Sequence, residues 1–254
     1  MTSGLLWNTC GKDIEWFEYS IRSYAKFARG FNDAVCFVPR RDEFMFAGVC
    51  AKYGVRLVTG EEWPGAGFNW HQFWQCCADL LLDTDIIFHL DADTVFTQPV
   101  SPDRWMRDGK LLGIFNRFAD LDQSWGPGMW KSRVDEALGG DVKLATMCTP
   151  PYVHYRGVYV ELRRAVQKQH PEGLEKYLLG RQNEFPQGFC EFETLGAIAQ
   201  EFFHNDYEWL DLKQHANPSK GFVAEGWSHG GLDKVTDRFD SISTAREVFA
   251  RLGL

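Results

Sequence analysis

The chain has 254 residues, 44% hydrophobic and 24% charged, a composition that excludes a disordered or fibrous protein and predicts one domain. Its 27 Lys and Arg residues stand against 35 Asp and Glu, a net charge of −8, which disfavours a protein built mainly to grip nucleic-acid phosphates. No basic start precedes a long apolar run, and no apolar stretch approaches the roughly 18 to 20 residues that span a bilayer. The seven cysteines, Cys10, Cys36, Cys50, Cys76, Cys77, Cys148 and Cys190, form no CxxC pair. The expectation is therefore a cytoplasmic protein with free thiols and no transmembrane segment.

In chain order, Leu5–Cys10 reads as a strand and Asp13–Ala28 as a helix with Ile14, Phe17, Ile21, Tyr24 and Ala25 on one face. Ala34–Val38 reads as a strand, Glu43–Tyr53 as a helix and Arg56–Val58 as a short strand. After the loop WPGAGFN come a helix over about Trp70–Leu82 and the strand Asp85–Leu90. Strands separated by helices of this length imply a largely parallel sheet, because parallel neighbours need a crossover. The second half is less regular. Leu111–Phe115 reads as a strand, Lys131–Leu138 as a helix, and Tyr152–Val158 as a strand entering the helix Glu161–Gln169. Helices are also expected over Gly173–Leu179, Glu191–Phe203 and Thr244–Leu252, the last after the Gly-rich loop GFVAEGWSHGGLD.

Ile86 to Phe96, IIFHLDADTVF, is the strongest motif. A buried strand runs into Asp91 and Asp93 at its carboxyl end, the edge where open α/β sheets bind ligands. Residues i and i+2 of an extended segment face the same way, so the two carboxylates suit a hard cation such as Mg²⁺ or Mn²⁺. The plain alternative is a polar turn after a strand.

The order of parts then resembles the nucleotide-sugar-dependent glycosyltransferases of the GT-A fold, most of all bacterial members associated with surface polysaccharide. The parts are a first strand ending in TCGKD, Trp70 and Gln72 before the next strand, LDADTVF with Pro99, CTPPYV at 148–153, FCEFETLG at 189–196 and WSHGG at 227–231. The resemblance implies a single GT-A-like α/β domain with a mostly parallel, Rossmann-like central sheet flanked by helices. Residues 1–115 would form the donor half, and 116–254 a less regular acceptor half carrying a late metal-ligand loop.

The resemblance also implies site roles. Asp93 binds the metal directly, Asp91 acts through the ribose or a metal-bound water, and His229 is a third metal ligand. Thr9, Cys10, Gly11 and Asp13 hold the nucleoside, and Gln72 reaches the donor. The basic residue usual near Gln72 is missing; His71 and Cys76 stand there instead. For an inverting transfer Glu191 or Glu193 is the base, Glu191 preferred, whereas a retaining enzyme would need no such base; two apart on a helix, they face about 200° apart, so at most one points into the site. Glu161 and Asp122 are weaker base candidates. His89, inside its strand, reads as a packed core residue.

Trp125, Trp130 and Trp227 are candidates for an acceptor surface, and SWGPGMW at 124–130 reads as a lid or a rigid turn. The expected donor is a nucleoside-diphosphate sugar, UDP favoured. The expected acceptor is a saccharide or a hydroxymethylated base in viral DNA, for which Arg40, Arg41, Arg104, Arg107, Lys110, Arg163 and Arg164 would supply a basic patch. Three other classes compete. A divalent-ion-dependent sugar-binding module needs no nucleotide. A sugar nucleotidyltransferase needs a Gly-rich basic loop, where TCGKD offers one Gly and one Lys. A glycoside hydrolase needs carboxylates on opposite faces of a sugar, which the Asp91/Asp93 spacing does not suit.

Overall fold

The computed structural model describes residues 1–124, 126–184, 188–225, 232–233 and 243–254. The chain opens with β1 (Ser3–Asn8), α1 (Ile14–Phe27), β2 (Asp33–Pro39), α2 (Glu43–Tyr53), β3 (Arg56–Gly60) and α3 (Gly67–Gln75). β4 (Ile86–His89), β5 (Thr94–Phe96), β6 (Met106–Arg107), β7 (Lys110–Arg117), α4 (Lys131–Leu138), β8 (Leu144–Ala145) and β9 (Tyr152–Tyr155) follow. The remainder holds α5 (Arg156–Gln169), α6 (Gly173–Leu179), α7 (Glu191–Phe202), β10 (Tyr207–Asp211), β11 (Val223–Glu225) and α8 (Ala245–Arg251).

The central sheet has the order β3-β2-β1-β4-β9 and is parallel except for β9 at its edge. β1 is buried along its whole length, as are all of β4 and six of the seven residues of β2. Strands covered on both faces need such continuous apolar runs rather than alternation. α2 stops at Gly54, whose φ of 68° lies in the left-handed region that glycine reaches without a Cβ penalty. From β1 the chain winds outward to β3 and then returns to β4 on the other side of β1. That reversal makes the carboxyl ends of β1 and β4 the topological switch point, where this class of sheet opens a crevice.

A second sheet, β10-β7-β6 with β8 on β7, pairs β7 and β10 in parallel, and β5 pairs antiparallel with β11. The main core runs from Leu5 to Tyr207 and draws on both halves of the chain. A smaller cluster of Trp16, Val95, Leu232, Ala245 and Phe249 ties α8 to α1 and β5.

Several expectations are corrected. The helix expected over Trp70–Leu82 starts earlier, at Gly67, and ends at Gln75, followed by a separate 3₁₀ turn at Ala78–Leu80. β9 ends at Tyr155 and α5 begins at once, so 156–158 are helical rather than extended. Ala25 is exposed, whereas Ser20 and Ser23 are buried on α1. Those serines are tolerated inside because each is bonded. Ser20 Oγ accepts from Trp7 Nε1 (2.8 Å) and donates to Thr94 O (2.5 Å), and Ser23 Oγ accepts from Phe96 N (3.0 Å).

The expected basic patch does not form. Arg163 makes a bidentate pair with buried Asp79 (2.6 and 2.7 Å) and donates to Cys76 O. Arg40, Arg41, Arg107 and Arg164 pair with Glu61, Glu62, Glu208 and Glu161, and Arg104 lies over the Phe222 ring. All seven cysteines are free thiols, five of them buried. Among the described residues no helix is long and apolar enough to cross a membrane.

Candidate active site

The site is built at the switch point. Leu90 N donates to Leu6 O (3.0 Å), carrying the β1–β4 ladder one step past β4. The chain then turns instead of running on: Asp91 O accepts from Thr94 N at 3.0 Å, with Ala92 and Asp93 inside the turn. The same-face argument for an extended Asp-Ala-Asp therefore does not apply. Both carboxylates are half-buried on a turn whose far side, β5, is pinned to α1 by Ser20 and Ser23.

At the end of β1, Asn8 Nδ2 donates to His71 O (2.7 Å), which docks α3 beside the strand end. Thr9 is buried, and its amide donates to Phe37 O (3.0 Å). Cys10 is half-buried with its sulfur 3.9 Å from Asp13 Oδ2, and burial followed by the Asp13 charge raises its thiol pKa. Asn8 Oδ1, Thr9 Oγ1 and Gln72 Oε1 are buried without a hydrogen-bond partner. Orphaned acceptors of this kind cost stability unless something else serves them.

Gln72, expected to reach a donor, spends both amide hydrogens within the protein. Its Nε2 donates to Phe189 O (2.8 Å) and to Glu191 Oε2 (2.7 Å). It therefore fastens α3 to the first turn of α7 and leaves only its carbonyl oxygen unpartnered.

Glu191 and Glu193 open α7 and point to different places, as their helical spacing requires. Glu191 faces Gln72, while Glu193 Oε2 accepts from Thr146 N (2.5 Å) and Thr146 Oγ1 (3.3 Å), leaving Oε1 without a partner. Burial pushes the Glu191 carboxyl up to about 7 and Glu193 up to about 8, against the opposing pull of these hydrogen bonds. Between them Phe192 stacks on Tyr152 (3.8 Å, 18°) and meets His89 edge-on (5.3 Å). His89 and Tyr152 are register partners at the carboxyl end of β4. The two acids are thus carried to the end of the strand that leads into Asp91 and Asp93.

A crevice of about 430 Å³, counted with its open mouth, adjoins Glu193 through Thr146, and Cys148, Tyr152, Gly196 and Trp209 line it too. Gly196 is required there: a Cβ would lie 1.8 Å from Thr146 Oγ1.

His89 is a core residue, as expected, with Nε2 2.7 Å from Tyr159 OH and burial holding its pKa far below the usual histidine range. Trp130 is corrected: it is buried with Val134, Cys190 and Ala197 and offers no surface to an acceptor. The described part of 124–130 is tightly packed, since a Cβ on Gly128 would lie 2.0 Å from Asp122 O. Asp122 Oδ1 is held by Ser124 N and Oγ, and Glu161 is ion-paired to Arg164. His229, Trp227 and Trp125 lie outside the described residues. Among the described residues no group of three or more His, Cys, Asp or Glu side chains is placed to hold a metal ion.

Three contributors escaped the sequence reading: Asn8, Thr146 and the Phe192–Tyr152 stack. Asn8 ends its strand, but the other two have no local signal. Their partners are 47 and 40 positions away in the chain, and only packing brings them together.

No protein-family model matches the chain, and no curated protein matches it. Among solved structures it is similar to the glycosyltransferase GlyE of Streptococcus pneumoniae TIGR4, with a TM-score of 0.46 and 12% identity. The apo form of GlyE gives 0.48 and 12%. Both alignments cover all of this chain and 60% of the GlyE chain, so the chain spans about three fifths of that length.

Proposed function

We propose that the chain is a metal-dependent glycosyltransferase that moves a sugar from a nucleoside-diphosphate donor, UDP favoured, to a hydroxyl of an acceptor, a saccharide favoured over a modified DNA base. The observation that supports this reading most is the packing of the α7 acid pair, through Phe192, onto the end of β4 that leads into Asp91 and Asp93. Asp91 and Asp93 would hold Mn²⁺ or Mg²⁺, a set of hard oxygen donors that fits such ions, with His229 as third ligand. When bound, the ion neutralises charge on the departing diphosphate.

The chain's own residues supply the rest. The unpartnered oxygens of Asn8, Thr9 and Gln72 lie at or beside the end of β1 and suit the hydrogen-bond donors of a nucleoside. A carboxyl raised by burial to about 7 is about half ionised at neutral pH, and the ionised form accepts a hydroxyl proton, the behaviour asked of a general base. Glu191 suits that role better than Glu193, which at about 8 keeps its proton at neutral pH. The pairing of Arg40, Arg41, Arg107 and Arg164 with glutamates, in place of a free basic patch, favours a saccharide over DNA.

The test is a thermal-shift titration with the common nucleoside diphosphates, with and without Mn²⁺, on wild type and Asp93→Ala. A metal-dependent rise with one nucleotide that vanishes in Asp93→Ala is expected. No rise with any nucleotide would overturn the reading and favour a sugar-binding module.

A further inference from the structure

One buried side chain beside the acid pair is more polar than its place in the fold requires. α3 is already fastened on three sides: Asn8 Nδ2 donates to His71 O (2.7 Å), Trp70 Nε1 to Glu61 O (2.7 Å), and Asn69 Nδ2 to Leu178 O (3.0 Å). Gln72, only 2% exposed, lies on the same helix. A buried amide costs free energy that an apolar side chain of its size does not. Docking of α3 therefore does not explain a glutamine at this position.

Its geometry is locked. Nε2 donates to Phe189 O (2.8 Å) and to Glu191 Oε2 (2.7 Å), groups 117 and 119 positions further along the chain. A flipped amide would set Oε1 against two acceptors, which fixes the assignment of oxygen and nitrogen. Phe189 is fully buried and its carbonyl belongs to the backbone, so the planar amide has one orientation. Its second N–H then aims at one point, where the Glu191 oxygen sits. A hydrogen bond given to a carboxylate favours the charged form, and only Gln72 and the residue's own amide oppose the burial that pushes Glu191 up.

We propose that Gln72 is a positioning residue for Glu191, its amide fixing the carboxyl in place from α3 and favouring the charged, proton-accepting form. The inference rests on the transferase reading for Glu191's role as base; the hydrogen bond itself does not. The surroundings make the relation measurable. On α3, burial and Lys12 hold His71 down to about 4, and burial keeps Cys76 well above the usual thiol range. Cys190, before α7, is likewise held high, and His89 on β4 lies far below the usual histidine range. Arg163 on α5 is spent on Asp79 and Cys76 O. Glu193, which faces Thr146, is the neighbouring group with a midpoint in the same range, about 8.

The experiment is carbon-13 NMR of the full chain with glutamate labelled at Cδ, titrated from about pH 5 to about pH 9, with Glu191→Gln and Glu193→Gln assigning the two late-titrating signals. In Gln72→Met, apolar and close in size, the Glu191 midpoint is expected to rise by about one to two pH units. That is a roughly ten- to hundredfold gain in proton affinity from losing one hydrogen bond to the charged form. The Glu193 midpoint should stay where it is. A structural role alone would lower the melting point and leave the Glu191 midpoint in place. Should Gln72→Met not fold, the nitrogen-15 signals of the Gln72 side-chain amide in wild type carry the test, and they are expected to shift with the Glu191 midpoint. An unmoved Glu191 midpoint in folded Gln72→Met, or Gln72 amide signals that ignore the Glu191 titration, overturns the proposal. Neither measurement uses nucleotide or metal, so failure of the nucleotide thermal-shift test would count against the donor site and leave this result readable.

Discussion

Glu193→Gln should make the protein more stable than wild type at high pH and no more stable than wild type at low pH. Glu193 is fully buried, its carboxyl is pushed up to about 8 by that burial, and one of its oxygens has no partner. A folded carboxyl that holds its proton more tightly than the unfolded one contributes stability in full below about 4.5, and loses it as pH rises through about 8. At 1.36 kcal/mol per pH unit the gap amounts to on the order of 3 to 5 kcal/mol, all of it lost by pH 9. Gln keeps the shape, and its carbonyl can accept from Thr146 N, but it never ionises. Its amide where Oε1 stood costs about 1 to 3 kcal/mol at every pH. The variant should therefore be equal to or less stable than wild type at pH 5 and more stable at pH 9. Urea denaturation at pH 5, 7 and 9 measures this directly. The other buried titrating groups are common to both proteins and cancel in the difference. Parallel stability profiles for the two proteins would refute the reasoning.

Arg163→Met should cost about 3 to 5 kcal/mol, because it strands the buried Asp79 carboxylate, and the double change with Asp79→Leu should recover most of it; urea midpoints of both variants check this. Gly196→Ala should destabilise by about 1 to 3 kcal/mol despite alanine's better helix propensity, since the new methyl displaces Thr146 and with it the bonds to Glu193; a melting curve no lower than wild type would contradict it. His154 is buried, and its pKa is held down to about 3 by that burial, so its contribution is complete above about 6.5 and lost as pH falls through about 3. His154→Phe should accordingly show a shallower loss of stability between pH 6.5 and 4, read by denaturant titration.

The central sheet was legible because β1, β2 and β4 each carry a continuous apolar run, a pattern that local sequence carries by itself. β1, β2, β3 and β4 all fall within two residues of where the apolar runs place them, and so does α1. The second sheet was not. β10, YEWLD, is short and mixed, and it is a strand because Leu111–Phe115 lies alongside to receive its hydrogen bonds. Trp130 sits in a loop rich in glycine, which suggested a surface, yet it is buried because α7 passes over it. Arg163 looked like part of a charged face until Asp79, 84 positions away, met it.

For the candidate site, the pattern along the chain singled out two pairs of acids and the strand end that presents one of them, since strand periodicity and helix starts are local properties. It contained nothing about the environment of either pair. Whether a carboxyl titrates near 4.5 or near 8 depends on how much water its neighbours leave it, and those neighbours are Thr146, Gln72, Phe192 and Tyr152, drawn from four separate segments. Burial and hydrogen bonding are sums over contacts distant in sequence, so the identity of the acids was written in the chain and their chemistry was decided by the packing around them.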